Sequence, residues 1–427
     1  MLPRRRPRGS LHDGISLDFA TGRYYTKAQG GPANIRALTS LFTFTGGAES
    51  MYMGPAGLLV QSAVNTPRIE YDASGNCLGL LMEAARTNLG LRSQEFNTDG
   101  AGAPWLNTRN TVTANATAAP DGTSTADKIV LDATAANTHF LQQNIGVTSG
   151  TTYTFSVYVK AAENSWVLIE YGAGGFTSST SAYFNLSTGA VGTLANSPTT
   201  HVTQLSNGWW RVAITKAATA TVTVATRIYI AEADNDATIN GDSASGIFVW
   251  GYQVEAGAFP SSYIPTTTGS VARTADSCIR TLGSEFSATA GTVVVAGRAS
   301  GGQDAAAGQL HWSIDDNTAN ERYSITRPVA SDAARLIVVD GGVAQATLDG
   351  TFVNLAAFKS AFAYAVNDFA HSFNGGAVLT DASGTLPAPT QICIGSLGGS
   401  SQANGHIRRF DYWPSRLPNT YLVSAST

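Results

Sequence analysis

Charge is what this chain has least of. Only 13% of its 427 residues are Asp, Glu, Lys or Arg, against roughly a quarter in an ordinary soluble domain. Solubility must come from Ser, Thr, Asn, Gly and the backbone, a composition that suits β-rich extracellular or virion proteins better than cytosolic enzymes. The 26 Lys and Arg and 30 Asp and Glu leave a formal net charge of −4, so the whole chain offers no positive field for nucleic acid. Cysteine is scarce as well. Cys77, Cys278 and Cys393 are odd in number, far apart and without a C-x-x-C, which argues against a zinc cage or a disulfide framework. They read as small buried hydrophobes, in keeping with assembly in a reducing compartment. No apolar run approaches the roughly 20 residues of a membrane helix, so membrane insertion is not expected. Arg4, Arg5, Arg6 and Arg8 are followed by no apolar stretch, so the start does not read as a secretory signal. That basic cluster is a solvated tail, a docking arm for an acidic surface on a partner protein, or a contact to DNA.

Catalytic motifs are missing too. There is no G-x-S-x-G, Walker A loop, dinucleotide-binding glycine pattern or H-E-x-x-H, and the six histidines form no local motif. Glycoside cleavage needs two carboxylates across a cleft. Glu170, Glu232 and Glu255 sit in or at the ends of predicted strands, where solvated side chains are the simpler reading. No repeat period of the β-helix type is visible. The chain is expected not to be an enzyme.

What is present is alternation. Tyr153, Phe155, Val157 and Val159 alternate with Thr154, Ser156, Tyr158 and Lys160, the period of a half-buried strand. Further strands are predicted at 166–171, 209–214, 227–231 and 247–255, separated by turns such as Asn207-Gly208. A second set is predicted over 292–298, 310–314, 322–326, 335–340, 344–348, 361–366, 371–373, 391–395 and 406–413, with Asn374-Gly375-Gly376 as a hairpin turn. A short helix is expected at 353–360, and a turn of helix within 414–424. The stretch 260–276, rich in Pro, Thr and Ser, reads as an exit linker. Residues 1–64 lack a clean period and should gain order only against another subunit or their own downstream domain. The expected fold class is therefore all-β: two β-sandwich (jelly-roll) domains in tandem behind an extended, irregular N-terminal segment. The expected boundaries are 1–64, 65–276 and 277–427.

Two pairs of landmarks carry a family resemblance. Pro67-Arg68-Ile69-Glu70-Tyr71-Asp72 with Gly79-Leu80-Leu81-Met82-Glu83-Ala84-Ala85-Arg86-Thr87-Asn88-Leu89 resembles a segment of phage and prophage structural proteins. There it precedes a jelly roll similar to carbohydrate-binding modules, whose far end is matched by Trp250-Gly251-Tyr252-Gln253-Val254-Glu255 running into Ser262-Tyr263-Ile264-Pro265. The C-terminal part resembles a concanavalin-like or laminin-G-like sandwich, through 362–365, 373–376 and Gly405-His406-Ile407-Arg408-Arg409-Phe410-Asp411-Tyr412-Trp413. The resemblance implies a structural protein of the virion exterior. A tail fibre or tail-associated appendage is the first reading, anchored through the N-terminus by Arg4, Arg5, Arg6 and Arg8. A capsid decoration or head-fibre protein and a polysaccharide-degrading tailspike are the alternatives; the missing secretory signal argues against a secreted lectin. Partners would be other virion proteins, further copies in a trimer and a host surface glycan.

Sugar binding uses aromatic rings backed by placed polar groups. The candidates are Trp209, Trp210, Trp166 and Tyr171, with Trp105 and Trp250 behind them. Adjacent Trp209 and Trp210 must face opposite sides of a strand. Calcium is the one cofactor considered: Asp234, Asp236 and Asp242 concentrate hard oxygen ligands, although Asx-rich turn chemistry explains the same residues.

Overall fold

The computed structural model describes residues 11–97, 104–299, 302, 308–329 and 331–427. Arg4, Arg5, Arg6 and Arg8 lie outside them. The described chain is an all-β protein of two antiparallel sandwiches. No helix among the described residues is long and apolar enough to cross a membrane.

The jelly roll occupies the middle of the chain. Its first sheet runs Leu106–Thr108, His139–Val147, Val222–Ala231, Trp166–Tyr171, Thr180–Asn185, Val191–Ala195 in spatial order. Its second runs Asn110–Thr117, Ala126–Leu131, Gly246–Ala256, Thr152–Ala161, Trp209–Ala217, Thr199–Gln204. Inward-facing Phe155, Val157, Val159, Val167, Ile169, Ile228 and Val254 fill the space between them, as the period-two pattern requires.

The C-terminal sandwich is not built from the C-terminal part alone. Gly14–Asp18 pairs antiparallel with Gly405–Trp413, setting Ile15 opposite Tyr412 and Leu17 opposite Phe410. Arg23–Lys27 and Ala33–Arg36 continue that sheet. Thr43–Thr45 pairs with Ser277–Thr281 in the facing sheet. Ile15, Leu17, Phe42 and Phe44 join the same core as Trp312, Phe362 and Phe410. Gly14 (φ 111°) is where the chain enters, and a Cβ there would lie 1.9 Å from the Tyr412 carbonyl oxygen, so only glycine fits. The N-terminal segment expected as an extended anchor is thus structural: residues 14–45 complete their own downstream domain. The lead-in strand Cys77–Met82 also pairs with Gly405–Trp413, so the C-terminal sandwich draws on residues expected to belong to the first module.

Farther along, Met51–Met53 and Leu59–Gln61 form a hairpin that lies on the outer face of the second jelly-roll sheet. Met51, Met53 and Leu59 pack there with Tyr158, Leu205, Trp209, Trp250 and Tyr263. Two further expectations are corrected. The stretch 260–276 is docked rather than a free linker: Tyr263 and Ile264 are fully buried, and Val271–Arg273 pairs with Arg86–Asn88. The helix expected at 353–360 is a turn leading into the strand Ala357–Ala365, because Phe358, Ser360 and Phe362 alternate inward while Val353 and Leu355 stay exposed. Helix Asn419–Ser426 fulfils the expected C-terminal helical turn and buries Leu422 against Ala361 and Ala363.

The landmark segments meet where the two sandwiches join. Arg68 donates to Glu83 Oε2 (2.6 Å) and Ser262 Oγ (2.9 Å) through Nη1, and to the Asp276 carboxylate through Nη2. Arg273 lies 3.5 Å from Glu83 and donates to the Ala84 carbonyl (2.7 Å). All four charged side chains are buried. Burial alone would raise the Glu83 pKa, but Arg273 and Arg68 outweigh it and hold the carboxyl far below its ordinary value.

Candidate functional site

The outer face of the first jelly-roll sheet is open to solvent, and it carries the chemistry. The register places Phe140 opposite Tyr229, Tyr229 opposite Leu168, and Leu168 opposite Tyr183. One step along each strand in the same face lies a second row, Gln142, Arg227, Glu170 and Ser181. Trp166 follows in the other direction, beside Ala231 and Asn185. Two-residue alternation puts all of these on one side, while Leu141, Ile228, Ile169 and Ala182 face the core.

The rings form a platform. Phe140 and Tyr229 lie 4.7 Å apart between centroids, and Phe140, Trp166 and Tyr183 pack around buried Leu168 and Tyr229 while staying partly exposed themselves. The polar row is pre-ordered. Arg227 donates to Glu170 Oε1 through Nη1 (2.6 Å) and to Gln142 Oε1 through Nε (2.8 Å). The Tyr229 hydroxyl also donates to Glu170 Oε1 (3.2 Å), and the guanidinium sits 5.5 Å from the Phe140 centroid. Burial and the Glu170 carboxylate push the Tyr229 phenol up to about 12, so it remains a proton donor at neutral pH. Burial, Asp236, Asp234 and Glu170 likewise raise Tyr183. The arrangement offers stacking surface plus fixed donors and acceptors, with the carboxylate already engaged.

The expected site residues divide across the fold. Trp166 lies on this platform. Asp234 and Asp236 stand at its edge, with Asp234 and the Trp166 ring both closing on Gly192, where any Cβ would collide with them. Tyr171 is five residues from Trp166, hence on the opposite face, and its ring is fully buried in the core; it cannot touch a ligand. Trp209 is covered by the N-terminal hairpin and donates to the Ala118 carbonyl (3.1 Å). Trp210 turns inward as its neighbour turns out, lies against Gly189 and donates to the Leu186 carbonyl (2.8 Å). The tryptophan pair therefore faces opposite ways as expected, with Trp209 buried under the hairpin and Trp210 partly exposed. Sequence reading missed Phe140, Gln142, Tyr183, Arg227 and Tyr229, although their period-two spacing in neighbouring strands was visible.

The expected calcium ligands serve separate backbone groups, Asp236 and Asp242 in their own turns and Asp234 on the strand Val191–Ala195. Asp234 accepts from the Thr193 N–H (2.6 Å), Asp236 from the Thr238 N–H (2.9 Å), and Asp242 from the Ala244 and Ser245 N–H groups (2.9 and 2.8 Å). No group of three potential metal-ligating acidic, His or Cys side chains gathers among the described residues. Glu255 is buried at the junction, accepting from the Ser261 N–H (2.9 Å) and hydroxyl (2.6 Å), and Glu232 is exposed.

No protein-family model and no curated protein matches the chain. Among solved structures it is similar to the CBM40 of the IT-sialidase of Ruminococcus gnavus, at 15% identity and a TM-score of 0.28, over 33% of this chain and 84% of that one. Trypanosoma rangeli sialidase matches at 9% identity and a TM-score of 0.28, over 70% of this chain and 59% of the sialidase. Domains LG4-5 of the mouse laminin alpha1 chain match at 10% identity and a TM-score of 0.21, over 65% and 85%.

Proposed function

We propose that this chain is a structural protein of a phage virion exterior, a tail fibre or tail-associated appendage, and that its jelly roll binds a host surface polysaccharide on the open face of the first sheet. The observation that carries the binding role is the pairing of an aromatic row, Phe140, Tyr229 and Tyr183 with Trp166 beside it, with the Gln142–Arg227–Glu170 row one step away. Sugar rings present an apolar face and a rim of hydroxyls, and that surface answers both. The phage assignment is supported by the resemblance of the 67–89 and 250–265 segments, which come together at the junction built on Arg68 and Glu83.

The chain binds rather than cleaves in this reading, since Glu170 is held by Arg227 and Tyr229. Attachment to the particle falls to the Arg4–Arg8 region or to surfaces of the sandwiches, because residues 14–45 are already used within the fold. A place on the capsid rather than the tail is decided by labelled antibody on intact particles, read by electron microscopy, and trimerisation by sedimentation equilibrium of the purified chain. An array of bacterial surface polysaccharides tests binding. The wild-type chain should retain one class of glycan, and Tyr183→Ala should lose about tenfold or more in affinity with unchanged unfolding. Release of reducing ends from a retained glycan would replace this reading with the tailspike enzyme.

A further inference from the structure

We propose that the open face of the first jelly-roll sheet selects a polysaccharide carrying free amino groups, with an ammonium lodged between the Trp166 and Tyr183 rings and the carboxylates of Asp234 and Asp236. The inference rests on the reading of that face as a glycan platform and names the sugar chemistry it takes.

One loop brings both carboxylates to the rings. After the strand Val222–Ala231 the chain folds back over the outer face. Ala237 is buried among Leu168, Tyr229 and Ala231, the cluster on which Phe140, Trp166 and Tyr183 pack, and Ile239 bridges to Asn137. The Asp236 N–H closes the turn on the Ala233 carbonyl (3.3 Å). Asp234 is pinned to the strand Val191–Ala195, where it accepts the Thr193 N–H (2.6 Å) and hydroxyl (3.2 Å). An ideal Cβ on Gly192 would stand 2.2 Å from Asp234 Oδ1 and 2.9 Å from Trp166 Cζ3, so carboxylate and ring edge flank the same glycine. Asp236 gives Oδ1 to the Thr238 N–H (2.9 Å), and its Oδ2 accepts nothing among the described residues.

The charge on this face is one-sided. Glu170 is matched by Arg227 (2.6 Å). Asp234 and Asp236 pair with no Lys, Arg or His among the described residues, so both stand as unmatched negative charges. Burial first, then Asp236, Asp234 and Glu170, push the Tyr183 phenol up, which marks the field over the rings as negative. An acidic sugar is repelled there. A neutral hydroxyl gains no ionic attraction. An ammonium gains twice, through the ring faces within about 6 Å and through charge-assisted bonds to the carboxylate oxygens. N-acetylation removes that charge. A bare divalent cation needs more oxygen ligands than two aspartates supply, and no third acidic, His or Cys side chain joins them among the described residues.

The probes are chitosan tetraose, its N-acetylated counterpart chitin tetraose, and polygalacturonate. Each is titrated calorimetrically into the full chain at mildly acidic pH, where the amines are protonated and the carboxylates still ionised. Chitosan tetraose should bind about five- to tenfold more tightly than chitin tetraose. Polygalacturonate should bind weakest, and added salt should narrow the gap. The double variant Asp234→Asn, Asp236→Asn keeps an oxygen for the Thr193 and Thr238 N–H groups. Its thermal unfolding should therefore hold while the amine preference falls to about twofold or less. Equal or tighter binding of chitin tetraose or polygalacturonate would overturn the inference and leave the platform standing. A preference undiminished in the double variant would do the same, because the ammonium would then be read elsewhere. Absence of binding by all three probes would overturn it too, and failure to retain any glycan from the array would sink the platform reading as well.

Discussion

The two sheets of the jelly roll have the same strand number and similar outward-facing aromatics, yet opposite fates. On the second sheet, Tyr158, Trp209, Trp250 and Tyr263 are sealed beneath the Met51–Met53 and Leu59–Gln61 hairpin. On the first, Phe140, Trp166 and Tyr183 remain partly exposed around a fixed polar row. Aromatic content alone therefore does not mark a ligand face. What decides is whether another segment of the chain covers it, and that information lies more than 100 residues upstream of most of the rings concerned.

Four changes test this contrast. The largest effect belongs to deletion of residues 11–64. It strips the cover from the second sheet and removes Ile15, Leu17, Phe42 and Phe44 from the C-terminal core. Each is worth about 1.5–3 kcal/mol of burial, and together they rival a domain's whole stability of roughly 5–15 kcal/mol. The expected product is an unfolded or aggregated C-terminal half, read by circular dichroism, and recovery of two folded sandwiches would break the account. Next, Arg68→Ala leaves Glu83 and Asp276 short of a buried counter-charge and should cost about 3–5 kcal/mol in denaturant unfolding. Trp209→Ala should destabilise by a similar ~3–5 kcal/mol and leave polysaccharide affinity alone, whereas Trp166→Ala should do the reverse; equal behaviour of the two would erase the distinction between faces.

The smallest effect is on pH dependence, and it grades the two sandwiches. Burial lowers the imidazole of His371 to about 4 and that of His311 to about 3, and both belong to the C-terminal sandwich. Their folded values lie below the unfolded value near 6.5. Their contribution is therefore complete above about pH 6.5 and is lost as pH falls toward 4 and then 3. Glu83 adds a further loss only below the ordinary carboxylate range, because its folded value is depressed. Burial also lowers His201 of the jelly roll, so both sandwiches lose stability on acidification, and the C-terminal one, with two such histidines, should lose more. His311→Phe, in a site already stacked against Phe352 and Phe358, should shrink that slope, as followed by thermal melts at stepped pH.

Much of the fold was legible because alternation is local. Trp166–Tyr171 and 406–413 emerge from period two by eye, and the all-β two-sandwich class with them. The N-terminal strands were not legible. Gly14–Asp18 and Thr43–Thr45 are short, and their partners lie hundreds of residues away. The strand Thr152–Ala161 shows a second limit: Thr154, Ser156 and Tyr158 look solvated in sequence but are buried, since the junction and the hairpin cover that face. The site was half legible. Parity alone separates Trp166 from Tyr171, but which of them faces outward depends on the sheet packed behind. Asp234, Asp236 and Asp242 were visible as a cluster, while their use at separate backbone groups, Asp234 on a neighbouring strand and the other two in their own turns, depends on tertiary geometry.

Hydroxyl-radical footprinting of the chain with a retained polysaccharide tests the open face most directly. Oxidation of Phe140, Trp166 and Tyr183 should fall sharply on binding, with the side chains along Thr199–Gln204 unchanged. Undiminished oxidation of those three rings in a saturated complex would contradict the assignment.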